Sequence, residues 1–332
     1  MLISELDYEL PEALIAQRPA EPRDSSRLMV VDVREGSIAH HTFRDLPRFL
    51  GNGDALILNE TKVLSARLVA HKASGGEVEL LFLRDLGGPW EVLARPSKRL
   101  KPGALLTVGG DELRVVKTLG DGHWLVEALD IRGILERSGR MPLPPYIRPT
   151  AEAEKAYQTV YARNPGSAAA PTAGFHFTKR VLAEAEQAGA EISRVTLHVG
   201  TATFTPIRTE KLEEHQMHAE YYNVSEYTVQ TVQNAARVIA AGTTVARTLE
   251  SWAASRELEG ESRLFIYPGY EWRVVDVLLT NFHLPRSTLL AMIMSFAGKE
   301  LVREAYRVAV EERYRFYSFG DAMLLVGGGR QL

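Results

Sequence analysis

Two rhythms of apolar and polar positions divide the chain. From about residue 65 to 129, short β-forming runs recur at 66–71, 77–83, 90–94, 104–108, 113–118 and 124–128. Glycine-bearing turns separate most of them, at Gly75-Gly76, Gly87-Gly88, Gly109-Gly110 and Gly120 to Gly122, and no helical period is visible. Short strands at this spacing predict a small barrel or sandwich. Outside that window strands and helices mix. Before it come a short helix at 10–15, a hairpin of 28–33 with 38–43, and a buried strand at 55–58. After it the pattern predicts helices at 131–137, 151–162, 179–188, 246–254, 289–296 and 300–314, with one more behind Ser225 that puts Val229, Val232, Ala235 and Ala236 on one face. Strands are expected at 192–199, 237–241, 264–267, 274–279 and 323–326, and 139–147 reads as a stiff proline-rich return path. The expectation is a mixed α/β (α+β) main domain, discontinuous in sequence at 1–62 and 131–332. A small all-β barrel-like domain is inserted at 63–130.

A unit of strand, polar loop and capped helix recurs before Lys179, before Ala246 and before Leu289. If the helices join parallel strands, these loops share the carboxyl edge of the sheet, where open α/β sheets hold ligands. The first loop reads P-T-A-G-F-H-F-T, residues 171–178, with His176 between Phe175 and Phe177. Thr178 caps the helix behind it. The strand at 192–199 carries His198, and Gly200 opens the loop T-A-T-F-T-P. N-F-H-L-P, residues 281–285, repeats the Phe-His step as Phe282-His283. A histidine between phenylalanines is more often a hydrogen-bonded core residue than a catalyst. The glycine-bearing loop, the helix start and the partner loops with their own histidines point here to a site. Imidazoles titrate near neutrality and suit acid/base work, and bare helix starts suit a carboxylate or phosphate.

The formal net charge is −3 and 24% of residues are charged, so nucleic acid could be held only by a local patch. The best candidate is R-P-S-K-R-L-K, with Arg95, Lys98, Arg99 and Lys101 inside the β-rich window. Arg18, Arg23 and Arg27 form a second basic run; the alternative is a solvated loop paired to its own Glu21 and Asp24. There are no cysteines, which excludes disulfides, thiolate metal sites and a cysteine nucleophile and suits a reducing cytoplasm. The acidic start lacks the basic segment of a secretory signal. The longest apolar run, 289–297, is far short of the roughly 20 residues a membrane span needs. His215-x-x-His218 lacks the H-E-x-x-H pattern, so no metal is expected, and neither G-x-G-x-x-G nor a Walker lysine motif appears.

Long motifs across nearly the whole chain then carry a resemblance. They include L-P-E-A-L-I-A-Q-R-P, L-N-E-T-K-V, G-R-M-P-L-P-P-Y-I, A-A-P-T-A-G-F-H-F-T, H-V-G-T-A-T-F, G-T-T-V-A-R-T-L-E-S and V-D-V-L-L-T-N-F-H-L-P-R-S-T-L-L. In this the chain resembles the S-adenosylmethionine:tRNA ribosyltransferase-isomerase family of queuosine biosynthesis. The chain departs from the family pattern in two places: at Ala202, where a glycine is usual, and at Val245-Ala246, where Ser-Val is usual. The resemblance implies a cytoplasmic enzyme with a discontinuous α/β domain and an inserted barrel. It implies transfer and isomerisation of the ribosyl part of S-adenosylmethionine, a consumed donor, onto 7-aminomethyl-7-deazaguanine at the wobble position of tRNA.

Such chemistry needs proton transfer, because the sulfonium acidifies the neighbouring C5′–H and adenine must leave. His176, His198 and His283 are the candidates, with the substrate amine as an alternative base. Phe175, Phe177 and Phe282 are candidates to line adenine or face the sulfonium. A helix start at Thr178, Ala246 or Ser287 is expected to hold the methionine carboxylate. Thr172, Gly174, Gly200, Thr203, Thr243, Thr244, Arg247, Glu250 and Asn281 complete the expected donor-binding set. Arg18, Arg23, Arg27, Arg95, Lys98, Arg99 and Lys101 are the expected tRNA contacts. A non-catalytic tRNA-binding protein and a metal-dependent hydrolase stand as alternatives.

Overall fold

The computed structural model describes residues 1–200, 207 and 209–330. The hairpin β1 (Arg27–Asp32) and β2 (Ser37–Thr42) is followed by β3 (Asp54–Asn59) and the short β4 (Thr61–Val63). Next come β5 (Arg67–Lys72), β6 (Glu77–Asp85), β7 (Trp90–Arg95), β8 (Leu105–Val108), β9 (Asp111–Gly120) and β10 (His123–Glu127). Helices α1 (Ile131–Ser138) and α2 (Ala151–Ala156) lead through β11 (Asn164–Ser167) to α3 (Lys179–Gln187) and β12 (Glu191–Leu197). Then follow β13 (Glu220–Val224), α4 (Glu226–Asn234), β14 (Arg237–Ala241), α5 (Thr243–Ser255) and β15 (Glu259–Ser262). The chain continues with β16 (Val277–Asn281), α6 (Thr288–Ala297), α7 (Lys299–Glu311) and β17 (Ala322–Val326).

Nine strands form one mixed sheet in the order β15-β13-β12-β3-β14-β16-β17-β1-β2. Its centre, β12-β3-β14-β16, is parallel throughout. β3 and β16 are buried along their whole length, as parallel strands covered on both faces must be. Side-chain alternation splits the apolar residues of β3 between two cores. Ala55 and Ile57 pack with Val245, Ala246, Leu249 and Trp252 of α5, while Leu56 and Leu58 pack with Phe43, Phe177 and Val181 on the other face.

Strands β5 to β10 close into an all-antiparallel barrel in the order β10-β7-β6-β5-β8-β9, which leaves no free sheet edge. Ile131, Ile134 and Leu135 of α1 belong to the same core as Leu68, Leu80, Val92 and Leu113. The unit that shares the barrel core therefore runs past residue 130. No helix among the described residues is long and apolar enough to cross a membrane.

Several local expectations change. Residues 10–15 hold only a one-turn 3-10 helix, Glu12–Leu14. The helix expected at 151–162 stops at Ala156, because Tyr157 turns into a buried aromatic cluster with Phe175 and Phe319. β13 and β15 escaped the pattern; β15, Glu-Gly-Glu-Ser, is a polar edge strand without apolar alternation. Residues 264–267 alternate like a strand yet pair with none, and Ile266 is buried as an extended segment against the large core. β16 begins at Val277 rather than 274, and α5 begins at Thr243 rather than 246.

Candidate active site

The four parallel strands end together, at Leu197, Asn59, Ala241 and Asn281. The 3-10 turn Thr172–His176 comes from outside the sheet and lies across this edge, with Thr172 Oγ1 donating to Asn281 Oδ1 at 3.2 Å. Between them opens a small hollow of about 40 Å³ lined by Pro171, Thr172, Val199, Thr243, Asn281 and His283. A second hollow, lined by Met217, Arg247, Phe265, Thr288 and Met292, shares Thr243, Thr244 and Leu289 with the first. The start of α5 thus stands between the two.

That start is the most open of the three candidate helix N-termini. Gly242 holds the cap position at φ 113, a backbone shape that favours glycine, and supplies no capping side chain. The first N–H groups of α5 have no acceptor within the helix. By contrast, Thr178 caps α3 by accepting from Val181 N at 3.2 Å and spends its proton on Asp24. Ser287 caps α6 in the same way through Leu290 N. One turn into α5, buried Arg247 is ion-paired with Glu220, whose other oxygen accepts Gly200 N–H at 2.7 Å. Burial lowers the Arg247 guanidinium to about 10, and its Nε, also buried, has no hydrogen-bond partner among the described residues. A ligand carboxylate is the natural complement of such a helix start and guanidinium.

The three histidines part company. His283 lines the first hollow with its Nε2 2.7 Å from Thr280 Oγ1. Tyr306 and Tyr8 clamp its backbone: His283 N–H donates to Tyr306 OH at 2.9 Å, and Tyr8 OH donates to His283 O. Burial pushes this imidazole down to about 3. His198 stands at the same sheet edge, but its Nδ1 is 2.8 Å from Thr61 Oγ1 and its ring stacks on Tyr221. Burial lowers its pKa as well. Gly166, at φ 149, passes so close that a Cβ there would lie 2.6 Å from His198 Nε2. His198 is not among the residues lining either hollow; its neighbour Val199 is.

His176 is buried behind the hollow. Its Nδ1 lies 2.7 Å from Ser26 Oγ, its Nε2 3.2 Å from Asn281 Nδ2, and its ring stacks on Phe43. Burial, with the positive charges of Arg315 and Arg23, pushes it down to about 3. Both ring nitrogens are occupied, so the expected proton-transfer role is not supported by this placement.

The phenylalanines are core anchors rather than a ligand lining. Phe175 packs on Tyr157 and Phe319, Phe177 on Phe43 and Tyr161, and Phe282 on Tyr306, Tyr314 and Phe316. Each is an apolar ring beside a polar loop residue, and folding sends the ring inward. Gly174 is also structural, since a Cβ there would meet Tyr161 OH at 2.2 Å. Glu250 is fully buried away from the hollows and accepts from Tyr270 OH and from the N–H groups of Arg273, Val274 and Val275. Its four bonds make it a clamp on the 270–275 loop, not a donor-binding group. Thr203 lies outside the described residues, as does Ala202.

The basic candidates also divide. Arg23 donates to the carbonyls of Ala156 and Gln158, and Arg27 donates to Glu312 O and covers the Tyr314 ring at 3.6 Å. Neither pairs with Glu21 or Asp24; Asp24 instead binds Arg180 at 2.8 Å. Arg18 is exposed. Arg95, Lys98, Arg99 and Lys101 are all exposed around buried Leu100, and none forms an ion pair with a described carboxylate.

Sequence reasoning missed Asn59, Thr61, Glu220 and Thr280, which hold the site together. Asn59 Nδ2 reaches Leu197 O and Thr244 Oγ1, tying β3 to β12 and α5. Its place at the end of a fully apolar strand was the available signal. Among the described residues no three His, Asp or Glu side chains converge as a metal ligand set.

A family model described as "Queuosine biosynthesis protein" matches residues 3–325. A relative named S-adenosylmethionine:tRNA ribosyltransferase-isomerase, from Rubrobacter xylanophilus, is 71% identical over 333 residues and covers 100% of both chains. Another of that name, from Moorella thermoacetica, is 51% identical over 343 residues, covering 98% of this chain and 100% of its own. A crystal structure of S-adenosylmethionine tRNA ribosyltransferase from Thermotoga maritima is 38% identical with a TM-score of 0.58, spanning 97% of this chain and 100% of its own. These matches span nearly the whole chain, and the chain belongs to the S-adenosylmethionine:tRNA ribosyltransferase-isomerase family of queuosine biosynthesis.

Proposed function

We propose that the enzyme transfers and isomerises the ribosyl moiety of S-adenosylmethionine onto 7-aminomethyl-7-deazaguanine at the wobble position of tRNA. The product is epoxyqueuosine, and adenine and methionine are released. S-adenosylmethionine is thus a consumed ribosyl donor, no metal takes part, and the setting is the cytoplasm. The observation that carries this reading is 71% identity over the full length to a relative of that name.

The site's own chemistry fits the donor. An amino-acid carboxylate suits the bare start of α5 and the Nε of Arg247, which has no partner among the described residues. His283 is the histidine that lines the first hollow. Thr280 Oγ1 lies 2.7 Å from His283 Nε2; with Thr280 accepting from Nε2–H, the Nδ1 lone pair is left to take a proton. Burial holds this ring neutral, and a ligand that brings negative charge or a polar partner to Nδ1 would raise its basicity toward the range a general base needs. His198, held by Thr61 at the same sheet edge, is a reserve group. The exposed run Arg95 to Lys101 offers the tRNA a phosphate-binding turn on the barrel.

The test is direct. Incubation with S-adenosylmethionine and tRNA bearing the 7-aminomethyl base should release adenine and raise the tRNA mass by the transferred sugar. Binding of tRNA without adenine release would make the protein a non-catalytic tRNA binder instead.

A further inference from the structure

A chain of hydrogen bonds runs from the buried core to the wall of the first hollow, and its polarity can be worked out link by link. Tyr317 O can only accept, and Asn281 Nδ2 lies 3.1 Å from it. This orients the Asn281 amide, with nitrogen toward the core and oxygen toward Thr172. The second N–H of the amide then donates to His176 Nε2 at 3.2 Å. His176 must carry its proton on Nδ1, which donates to Ser26 Oγ at 2.7 Å. At the other end Asn281 Oδ1 receives the Thr172 hydroxyl proton at 3.2 Å. Thr172 lines the hollow with its proton already committed, so only lone pairs of Oγ1 face a ligand.

We infer that His176 and Asn281 are positioning residues that hold the Thr172 hydroxyl as a fixed hydrogen-bond acceptor, selecting an N–H or O–H donor of the ligand at that point. The inference rests on the reading of the hollow as the S-adenosylmethionine site. Two features of the structure support the relay. Tyr317, which aims the first carbonyl, sits at φ 71, a strained backbone for a bulky residue, held by Tyr317 N–H on Phe282 O at 3.0 Å. His176 is also kept neutral by burial and by Arg315 and Arg23, so Nε2 stays an acceptor across the working pH range. The arrangement gives the hollow two unlike walls. Acceptors stand at Thr172 and His283, and N–H donors stand at the start of α5. A zwitterionic amino-acid ligand would be oriented by that difference alone, its carboxylate toward α5 and its donor groups toward Thr172.

The experiment measures Kd for S-adenosylmethionine by calorimetry, without tRNA, for the wild type, Thr172→Val, Thr172→Ser, His176→Gln, His176→Phe and the double variant His176→Phe/Thr172→Val. Melting temperatures are recorded alongside. Thr172→Val is expected to weaken binding about tenfold, the effect of one lost hydrogen bond in a desolvated wall, with Thr172→Ser restoring most of it. His176→Phe should weaken binding several-fold, and His176→Gln, whose side-chain oxygen can still accept from Asn281, should weaken it less. The double variant should bind no worse than about twofold below Thr172→Val alone, because His176 acts through Thr172. Binding by Thr172→Val within twofold of wild type would overturn the inference. So would His176→Phe costing the same factor with Thr172 absent as with it present, the mark of a purely structural histidine. Wild-type protein that binds S-adenosylmethionine but releases no adenine with tRNA would refute the reaction and leave this wall assignment standing.

Discussion

Glu250 Oε1 accepts the backbone N–H of Val274 at 3.0 Å, and the same carboxylate takes three further bonds from Val275 N, Arg273 N and Tyr270 OH. The side chain is fully buried, and among the described residues these four donors hold its carboxylate. Glu250→Gln would turn one oxygen into an NH₂ group that faces donors with donors. The expected loss is about 2–4 kcal/mol of stability, that of breaking a buried charged network, lowering the melting temperature by roughly 3–6 °C. Calorimetric Kd for S-adenosylmethionine should stay within about twofold at a temperature where the variant is folded. A large loss of affinity with an unchanged melting temperature would place Glu250 back in the ligand site.

Much of the architecture was legible because periodicity reports burial. The fully apolar run of β3 and the short glycine-punctuated strands of the barrel needed only a period-2 reading. The site was legible at the level of loops: P-T-A-G-F-H-F-T, G-T-T and N-F-H do meet at one edge. Which member of each motif faces the ligand was not. In Phe175-His176-Phe177 all three rings turn inward, and Thr172, four residues earlier, reaches the hollow. Orientation within a 3-10 turn depends on what packs behind it, here Phe43, Tyr157 and Tyr161, and those residues are distant in sequence. The Arg247–Glu220 pair was half seen for the same reason. Arg247 stood in a helix motif, but its partner lies on a strand whose pattern was not recognised.

Acid should unfold the protein through its histidines. His176 and His283 are both pushed down to about 3 by burial, against an ordinary value of 6.5. Above about pH 6.5 neither state binds the extra protons, and the full stability is present. Between 6.5 and 3 the unfolded chain takes them up and the folded chain does not, so stability falls as pH falls. Two such groups give a slope of up to about 2.7 kcal/mol per pH unit in this window. Denaturant titrations at pH 7.5, 6.5 and 5.5 should show little change over the first step and a marked loss over the second. The double variant His176→Phe/His283→Phe should show a flatter dependence.

The barrel turn should contribute to tRNA affinity through charge alone. Lys98, Arg99 and Lys101 are exposed and unpaired with any described carboxylate, whereas Arg23 and Arg27 are committed to protein partners. Replacing the three by Ala should weaken tRNA binding and reduce the slope of log K against log salt by about 2 to 3. The same change at Arg23 should act mainly on stability, because it frees the carbonyls of Ala156 and Gln158. A salt series in which the triple variant overlays the wild type would remove the turn from the interface.

His283 is the imidazole best placed to accept a proton from the ligand. It lines the hollow, Thr280 occupies Nε2, and Tyr8 and Tyr306 hold its backbone. His283→Ala should therefore lower kcat by about 10²-fold or more, the usual contribution of a positioned general base. KM for S-adenosylmethionine should change by less than about threefold, since the wall made by Thr172 and α5 is untouched. His176→Ala, by comparison, should act on binding and stability more than on kcat, because that ring never reaches the hollow. The pH profile separates the two possibilities further. With His283 neutral far below its ordinary range, this group puts no limb near pH 6.5 on kcat/KM, and the profile should be flat on its account from about pH 5 to 8. Tyr306→Phe removes the acceptor of His283 N–H and should lower kcat by a smaller factor, about tenfold, while leaving the flat profile in place. An acid limb near pH 6.5 that vanishes in His283→Ala would mean that the ring is solvated and titrates normally in the working enzyme. Unchanged kcat in His283→Ala would pass the base role to the substrate amine or to His198.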